Sequence, residues 1–297
     1  MKIAITGVTG LLGKPLKLKL LGAGHQVITI CRKIGDSSAQ PVKDTFEWDV
    51  LTEDFPSAAL EGVDTVIHLA GEPVAGGRWT SDRKKKIFDS RVGGARKLVN
   101  TLAAIEIGRR PKTLISGSAI GIYGDRSDQV LNEYSAVGTG FLAEGTAAWE
   151  KESDRAVGLG LRVVQLRTGI VLSRKGGALS KMVPLTLGSG RQWMSWIHHQ
   201  DWENIVLKIV ADLSMVGTYN LTAPKPVTNA EFSATLGKIR HFPLRARVPA
   251  FLLKAAMGEM SEMVLASERI VPTRVLESGY TFSFDTLGAA LEELFPR

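Results

Sequence analysis

The chain has 297 residues, 44% of them hydrophobic and 23% charged, so it is long enough for a large buried core with a smaller appended region. Its longest apolar runs are strand-sized and its first residues read as a strand, so we expect neither a membrane-spanning helix nor a signal peptide, and a cytoplasmic protein. The net charge of +7 is scattered in small groups and there is one cysteine, Cys31, so we expect no nucleic-acid partner, no membrane partner and no multi-thiolate metal site.

The first half of the chain alternates short apolar runs with helical stretches. Strands are predicted, in chain order, over Lys2–Thr6, Gln26–Cys31, Thr45–Trp48, Asp64–Ala70, Thr113–Ser116 and Leu161–Leu166. Apolar residues at helical spacing predict helices over Leu11–Ala23, about Ser81–Gly108 and Leu142–Gly158. Such alternation is typical of βαβ units, so the predicted fold class is α/β, with a Rossmann-type, doubly wound parallel sheet.

The second half, from Arg167 onward, is richer in glycine and proline. A strand-like stretch, Trp193–His198, precedes one more sheet strand at Gly217–Leu221, and two or three amphipathic helices follow, separated by Pro243, Pro249 and Pro272. We therefore predict a Rossmann domain over residues 1–167, which the strand near 217–221 rejoins. Residues 168–297 are predicted to form a smaller, mostly helical substrate-side region that is interleaved with it.

A glycine-rich segment, TGVTGLLG at Thr6–Gly13, lies between the first predicted strand and the first helix. Gly7 permits a tight turn, Gly10 lets backbone N–H groups approach a pyrophosphate, and Gly13 allows close contact between helix and sheet. The beginning of the helix adds unpaired N–H donors and a partial positive charge. The segment predicts a dinucleotide site; the alternative, a purely structural turn, does not account for the spacing of the glycines.

The end of the second predicted strand indicates which dinucleotide binds. An NAD site has an acidic residue about 20 residues beyond the turn, on the ribose hydroxyls. Here the strand ends Ile30-Cys31-Arg32-Lys33, without a carboxylate. Since Arg32 can hold a 2′-phosphate through two charge-assisted hydrogen bonds, we predict NADP(H) rather than NAD(H). The alternative is that Arg32 and Lys33 are solvated loop charges.

Five motifs in order, TGVTGLLG, VIHLAG, ISGSAIGIYG, RTGIVL and WIHHQD, together with the tail VPAFLLKAAMGEMSEMVLASERIVP, resemble a known family. The chain is similar over its full length to the extended, epimerase-type branch of the short-chain dehydrogenase/reductases, and within it to the subfamily named epimerase family proteins. One departure is visible, because residues 182–190 form a shorter stretch than the glycine-rich loop usual in the subfamily. This difference affects the rim of the expected substrate pocket.

The resemblance implies where the cofactor contacts lie. The pyrophosphate would lie along the turn, the adenosine and ribose beside Leu69–Gly71, and the adenine near Asp49, while Cys31 falls where NAD-using relatives carry their acid. The predicted cofactor-binding residues are Gly7, Thr9, Gly10, Leu11, Leu12, Gly13, Cys31, Arg32, Asp49, Leu69, Ala70, Gly71, Arg91 and Ile170.

The catalytic pair usual in this superfamily is absent. Hydride-transferring members use Tyr-x-x-x-Lys on a helix, and none of the four tyrosines here is followed by a lysine four residues later. The matching positions are Leu142 and Thr146, neither of which can replace that pair. Ser118 and Tyr123 are the predicted catalytic residues, with a loop-capping serine and a packed aromatic ring as the alternatives.

Two loop residues and the histidines complete the candidates. Glu72 and Arg78 follow the fourth strand and could contact the cofactor or a polar substrate, or pair with one another. The five histidines lack metal-ligand spacing, and His198 and His199 would face opposite sides of a strand, so no metal site is predicted.

The function predicted from these patterns is that of an NADP(H)-binding oxidoreductase or epimerase-like enzyme that acts on an unidentified small polar substrate with a nonstandard proton relay. The alternative, favoured by the missing Tyr and Lys, is a noncatalytic NADP(H)-binding redox sensor or regulatory partner protein.

Overall fold

Seven parallel strands form the central sheet of the structure, a computed structural model that describes residues 1–32, 44–242 and 246–296. In chain order they are β1 (Lys2–Thr6), β2 (Gln26–Cys31), β3 (Thr45–Glu47), β4 (Thr65–His68), β5 (Thr113–Ala119), β6 (Arg162–Thr168) and β7 (Gly217–Leu221). Their spatial order is β3-β2-β1-β4-β5-β6-β7, which reverses between β1 and β4. In open α/β sheets, ligands bind outside the carboxyl ends of the strands at such a reversal. The predicted α/β, doubly wound parallel sheet is confirmed.

Helices cover both faces of this sheet and form the C-terminal part of the chain. In the described ranges they are α1 (Gly13–Gly22), α2 (Ser81–Phe88), α3 (Gly94–Ala104), α4 (Phe141–Asp154), α5 (His199–Ala211), α6 (Asn229–Ile239), α7 (Ala250–Met257), α8 (Glu262–Leu265), α9 (Thr273–Glu277) and α10 (Leu287–Leu294). Among these described residues, no helix is both long enough and apolar enough to cross a membrane.

Strand β1 illustrates why the sheet is buried on both faces. Ile3 and Ile5 belong to the core that α1 and α5 close, whereas Ala4 belongs to the opposite core, which α3 covers. Successive side chains of a strand point to opposite faces, so an apolar run without alternation requires cover on both sides. A third core, between α6 and α10, contains Trp196 and Phe232.

In the described chain, four short strand pairs lie outside the main sheet. They are Trp193–Met194 with Val227–Thr228, Trp196–His198 with Ile170–Leu172, Arg247–Val248 with Thr186–Leu187, and Arg269–Ile270 with Val130–Leu131. The stretch predicted as one strand, Trp193–His198, is therefore divided at Ser195, because its two ends pair with different partners.

Two further predictions differ from the structure in detail. The helical stretch predicted near residues 81–108 is two α-helices joined by a π-helical turn at Asp89–Gly93, and it ends at Ala104. The tail has five α-helices between residues 226 and 294 of the described chain, rather than two or three, since turns such as that at Gly258, with φ of 61°, separate short helices. Lys33 and Pro243 lie outside the described residues.

Candidate functional site

The glycine-rich turn is shaped by close packing at two of its three glycines. Gly7 has φ of 71°, and a Cβ there would lie 2.8 Å from the carbonyl carbon and oxygen of Leu69. A Cβ at Gly13 would overlap the carbonyl oxygen of Gly7 and lie 2.7 Å from Val8 Cα. A Cβ at Gly10 would lie 3.2 Å from the carbonyl oxygen of Gly7, and Gly10 is exposed. The turn thus brings helix α1 against the sheet and leaves Gly10 exposed.

The beginning of α1 leaves a backbone donor free beside Gly10. Leu12 is the N-cap residue, and its side chain forms no capping hydrogen bond. The Lys14 N–H donates to the Gly10 carbonyl oxygen at 3.2 Å and Pro15 has no N–H, so in the described first turn the unpaired N–H is that of Gly13. Uncapped N–H groups together with the helix dipole favour an anion. Thr9 is exposed, and Leu11 and Leu12 are half-buried beside it. These residues fit the phosphates of a dinucleotide.

A buried pair, Thr6 and His68, fixes the loop that runs beside the turn. The Thr6 hydroxyl oxygen accepts hydrogen bonds from the backbone N–H groups of Leu69 at 3.0 Å and Ala70 at 3.1 Å, and it lies 2.9 Å from His68 Nδ1. Since that oxygen already accepts twice, we infer that its proton is donated to Nδ1. Burial lowers the pKa of His68 to about 4, so the imidazole is neutral.

A cluster of arginines surrounds Glu72, which follows this loop. Arg32, at the end of β2, is 2.8 Å from one carboxylate oxygen, and Arg83 is 3.2 Å from the other. The Arg32 side chain is 67% exposed, so it can turn toward a ligand at low cost. Arg78 donates instead to the carbonyl oxygen of Ala255 at 3.0 Å, and so Glu72 and Arg78 do not pair with one another.

Arg91 lies behind the same loop, on the π-helical turn. Its guanidinium donates to the Glu72 carbonyl oxygen at 2.8 Å, and a Cβ on Gly71 would lie 3.4 Å from it. It also lies over the Trp149 ring, 5.6 Å from the ring centre, and burial lowers its pKa to about 10. π-Helical turns occur frequently at functional sites. In this arrangement Arg91 supports the loop through its backbone.

The remaining predicted cofactor residues lie along the same edge of the sheet. Cys31 ends β2 and is half-buried. Asp49 follows β3, and its carboxylate accepts a hydrogen bond from the Leu51 N–H at 2.9 Å. Ile170 follows β6, with its N–H bonded to the Ser195 carbonyl oxygen at 2.9 Å. The structure thus brings these residues to the carboxyl ends of the strands, and their cofactor contacts stay predictions.

Ser118 and Tyr123 are both part of a buried polar network. The Ser118 hydroxyl donates to Glu150 at 2.5 Å, and the Glu150 carboxylate receives two hydrogen bonds of 2.8 Å from Arg167. Arg167 also donates to the Tyr123 oxygen at 2.8 Å, and the Tyr123 hydroxyl donates to Asn220 at 2.7 Å. Burial raises the pKa of Tyr123, so its hydroxyl stays protonated at neutral pH. This geometry fits the alternative interpretation, in which both residues are structural.

The partners that hold this network together, Glu150 and Arg167, are not among the residues predicted from the sequence. Arg167 is near the end of β6 and Glu150 is on the inward face of α4, and they are 8% and 7% exposed. The signal available in the sequence was the presence of these charged residues within apolar segments, which indicates buried charges that need partners. Leu142 contacts the backbone around Gly121, and Thr146 is buried, so α4 presents no acid or base at the two positions of the missing pair.

One group of possible metal ligands occurs in the described part of the chain. His198, His199 and Glu293 bring one ligand atom each within 4.8 Å of the others. The strand ends at His198 and α5 begins at His199, which places both rings on the same side. Each ring already has a partner, because His198 is 3.0 Å from Glu293 and His199 is 3.0 Å from Glu203. The absence of a metal site stays a prediction.

Comparisons with known proteins agree with this architecture. Residues 3–140 match the model of the NAD dependent epimerase/dehydratase family, and residues 248–294 match a domain of unknown function, DUF1731. An epimerase family protein of Mycobacterium bovis is 37% identical over 297 residues, which cover 97% of this chain and 96% of that protein. The epimerase family protein YfhF of Bacillus subtilis is 35% identical, covering 99% of this chain and 98% of that protein.

One solved structure is also similar to this chain over nearly its full length. The human epimerase family protein SDR39U1 (isoform 2), crystallised with NADPH, superposes with a TM-score of 0.85 and 28% identity, covering 99% of each chain. The similarity thus extends through both matched family segments, and it confirms the resemblance seen in the motifs. On the strength of these full-length relatives, the chain belongs to the epimerase family proteins.

Proposed function

We propose that this protein binds NADP(H) at the Thr6–Gly13 turn and acts as an oxidoreductase or epimerase-like enzyme on a small polar substrate. The observation that carries the proposal is the turn itself, which combines the close contacts at Gly7 and Gly13, an exposed Gly10 and a helix beginning that no side chain caps. The human relative crystallised with NADPH supports the same choice of cofactor. When bound, NADPH supplies a hydride to the reaction.

The choice of NADP(H) over NAD(H) depends on the end of β2. β2 ends in Cys31 rather than in an acidic residue. Arg32 is exposed, and the Glu72 carboxylate 2.8 Å from it is a partner that it can leave. Because Arg83 also pairs with Glu72, that carboxylate keeps a cation when Arg32 turns toward a phosphate. Arg32 can therefore bind the extra phosphate without leaving an unpaired acid behind.

Titration with NADPH and NADH, followed by tryptophan fluorescence, tests this assignment. Arg32→Asp should weaken NADPH binding by about 1.5–3 kcal/mol, a factor of about 10 to 150 in Kd, and change NADH binding little. Arg109→Asp is the matched control. Arg109 is exposed and comes shortly before β5, so it lies at the amino ends of the strands, away from the carboxyl ends where the cofactor is expected. Equal affinities of the unmodified protein for NADH and NADPH would show that Arg32 has no such role.

The second candidate is a noncatalytic NADP(H)-binding sensor or regulatory protein. The specific observation in its favour is that both Ser118 and Tyr123, the hydroxyl groups expected to act in catalysis, are used inside the buried network. A screen of carbonyl compounds and nucleotide sugars for NADPH oxidation separates the two candidates. Turnover that survives both Ser118→Ala and Tyr123→Phe would support an enzyme and eliminate these two residues as its proton relay.

The location of the protein in the cell and its binding partners stay predictions. We expect a cytoplasmic protein with a small-molecule substrate and with neither nucleic-acid nor membrane partners.

A further inference from the structure

Glu72 lies beside the dinucleotide turn, and its backbone is fixed there. The loop that carries it packs against the turn, since a Cβ on Gly7 would lie 2.8 Å from the carbonyl group of Leu69. The Glu72 N–H donates to the Ser90 hydroxyl at 3.0 Å, and the Glu72 carbonyl oxygen accepts from Arg91 at 2.8 Å. Both backbone groups of Glu72 are thus held from behind, so the part of the residue that can move is its side chain.

The carboxylate of Glu72 bridges two guanidinium groups. One of its oxygens is 2.8 Å from Arg32, and the other is 3.2 Å from Arg83. The position of this bridge follows from the sheet, because β1 and β2 pair with Thr6 opposite Ile30, which places Arg32 two residues beyond that level. The carboxylate therefore holds, next to the glycine-rich turn, the guanidinium that we assign to the 2′-phosphate of NADP(H).

The two anions compete for one guanidinium. A carboxylate and a phosphate each take charge-assisted hydrogen bonds from the same planar set of arginine donors. The 2′-phosphate of NADP(H) has to replace Glu72 at Arg32 before it can make that contact in full. NAD(H) has no phosphate at this position, so its binding leaves the ion pair intact.

Of the two arginines, Arg32 is the one that can leave. Its side chain is 67% exposed, whereas that of Arg83 is 20% exposed. Arg83 is also held by the Pro73 carbonyl oxygen, and its guanidinium fills the space that a Cβ on Gly76 would need. Arg83 therefore stays in place and neutralises Glu72 after Arg32 has turned away.

We propose that Glu72 is a specificity-determining residue: its carboxylate occupies Arg32 in the cofactor-free protein and lowers the affinity for NADP(H), but not that for NAD(H). This inference rests on the proposed function, in which Arg32 binds the 2′-phosphate. Because each NADP(H) molecule that binds first breaks the pair of Arg32 and Glu72, the strength of that pair limits how far NADP(H) is preferred.

The Kd values of NADPH and NADH for Glu72→Gln test this proposal. The variant keeps the size of the side chain and an oxygen that Arg83 can reach, but it removes the charge that holds Arg32. The Kd of NADPH should fall about 2- to 5-fold, which is what a partly exposed ion pair contributes, and the Kd of NADH should not change. A Kd of NADPH that rises or stays the same would overturn the proposal, since Glu72 would then position Arg32 rather than compete for it.

Glu152→Gln is the matched control. The Glu152 side chain is 16% exposed, against 15% for Glu72, and it also bridges two arginines, at 2.8 and 2.7 Å. It lies near the end of α4, which precedes the beginning of β6, and so it is on the side of the amino ends of the strands. Its replacement should leave both Kd values unchanged, and urea unfolding checks that both glutamine variants are folded.

A double-variant cycle shows whether the gain passes through Arg32. In an Arg32→Ala background, Glu72→Gln should give a clearly smaller gain in NADPH affinity, because the carboxylate then has no Arg32 to hold. An equal gain in both backgrounds would overturn the competition, since it would mean that the carboxylate acts on the phosphate by repulsion alone.

Failure of the proposed function looks different from failure of this inference. In the first case the unmodified protein binds NADH as tightly as NADPH, or binds neither. In the second case the unmodified protein still prefers NADPH, and Glu72→Gln shows the same preference.

Discussion

The buried pair of Glu150 and Arg167 is the part of the network whose removal should cost most. Glu150→Gln keeps the shape of the side chain and one oxygen acceptor but removes the negative charge. In the unmodified protein, hydrogen bonds to Glu150 and Tyr123 raise the pKa of Arg167 although burial alone would lower it. In the variant the guanidinium stays charged because arginine is effectively always protonated. Arg167 is 8% exposed, and in the variant its guanidinium has no counter-ion. Ser118 also loses its charged hydrogen-bond acceptor.

The expected loss follows from this burial. Removing one partner of a buried ion pair costs about 3–5 kcal/mol, chiefly because the remaining charge is desolvated and unpaired. We expect about 3 kcal/mol for Glu150→Gln, at the lower end, since the amide oxygen still accepts one hydrogen bond. Replacing both residues by apolar ones, as in Glu150→Leu with Arg167→Met, should cost less than Glu150→Gln alone, because no charge is left buried.

Urea unfolding at pH 7.5, followed by tryptophan fluorescence, measures these losses as changes in the free energy of unfolding. The matched control is Glu152→Gln on the same helix. Glu152 pairs with Arg96 and Arg155, whose side chains are 54% and 48% exposed, so its loss should be at most about 1 kcal/mol. Equal losses for the two glutamine variants, or a loss below about 1 kcal/mol for Glu150→Gln, would refute the assignment of a strong buried pair.

Two further predictions concern the dinucleotide turn and its support. The pKa of His68 is about 4 in the folded chain, against an ordinary 6.5. Between these two pH values the unfolded chain binds a proton that the folded chain does not. The free energy of unfolding should therefore fall as the pH drops from about 6.5 to 4, by up to about 3 kcal/mol. Unfolding curves at several pH values should show this fall relative to His68→Gln, and parallel pH profiles would contradict it. Gly13→Ala should cost about 1–3 kcal/mol and weaken NADPH binding, because its Cβ would overlap the Gly7 backbone. Gly22→Ala, in the same helix with no atom within 4 Å of its Cβ, should be neutral or stabilising, and equal losses for the two would show that overlap at Gly13 is unimportant.

Several features of this protein could be predicted from the sequence because they are local. The glycine spacing of Thr6–Gly13, the strand before it and the helix after it occupy about 20 consecutive residues, and local spacing encodes all three. The same holds for the missing Tyr-x-x-x-Lys pair, which is a pattern within one helix. The division of Trp193–His198 at Ser195 was not predictable in this way, since it depends on which distant segments pair with each end.

Tertiary structure alone decided which side chains meet at the carboxyl edge of the sheet. Thr6 and His68 are 62 residues apart and become partners because β1 and β4 pair in a register that places them side by side. Ser267 and Asp125, 142 residues apart, meet only because the segment around Ser267 packs against the loop after β5. Apolar periodicity specifies which face of an element is buried, but not the neighbour or the register opposite it, because those depend on the packing of the whole chain.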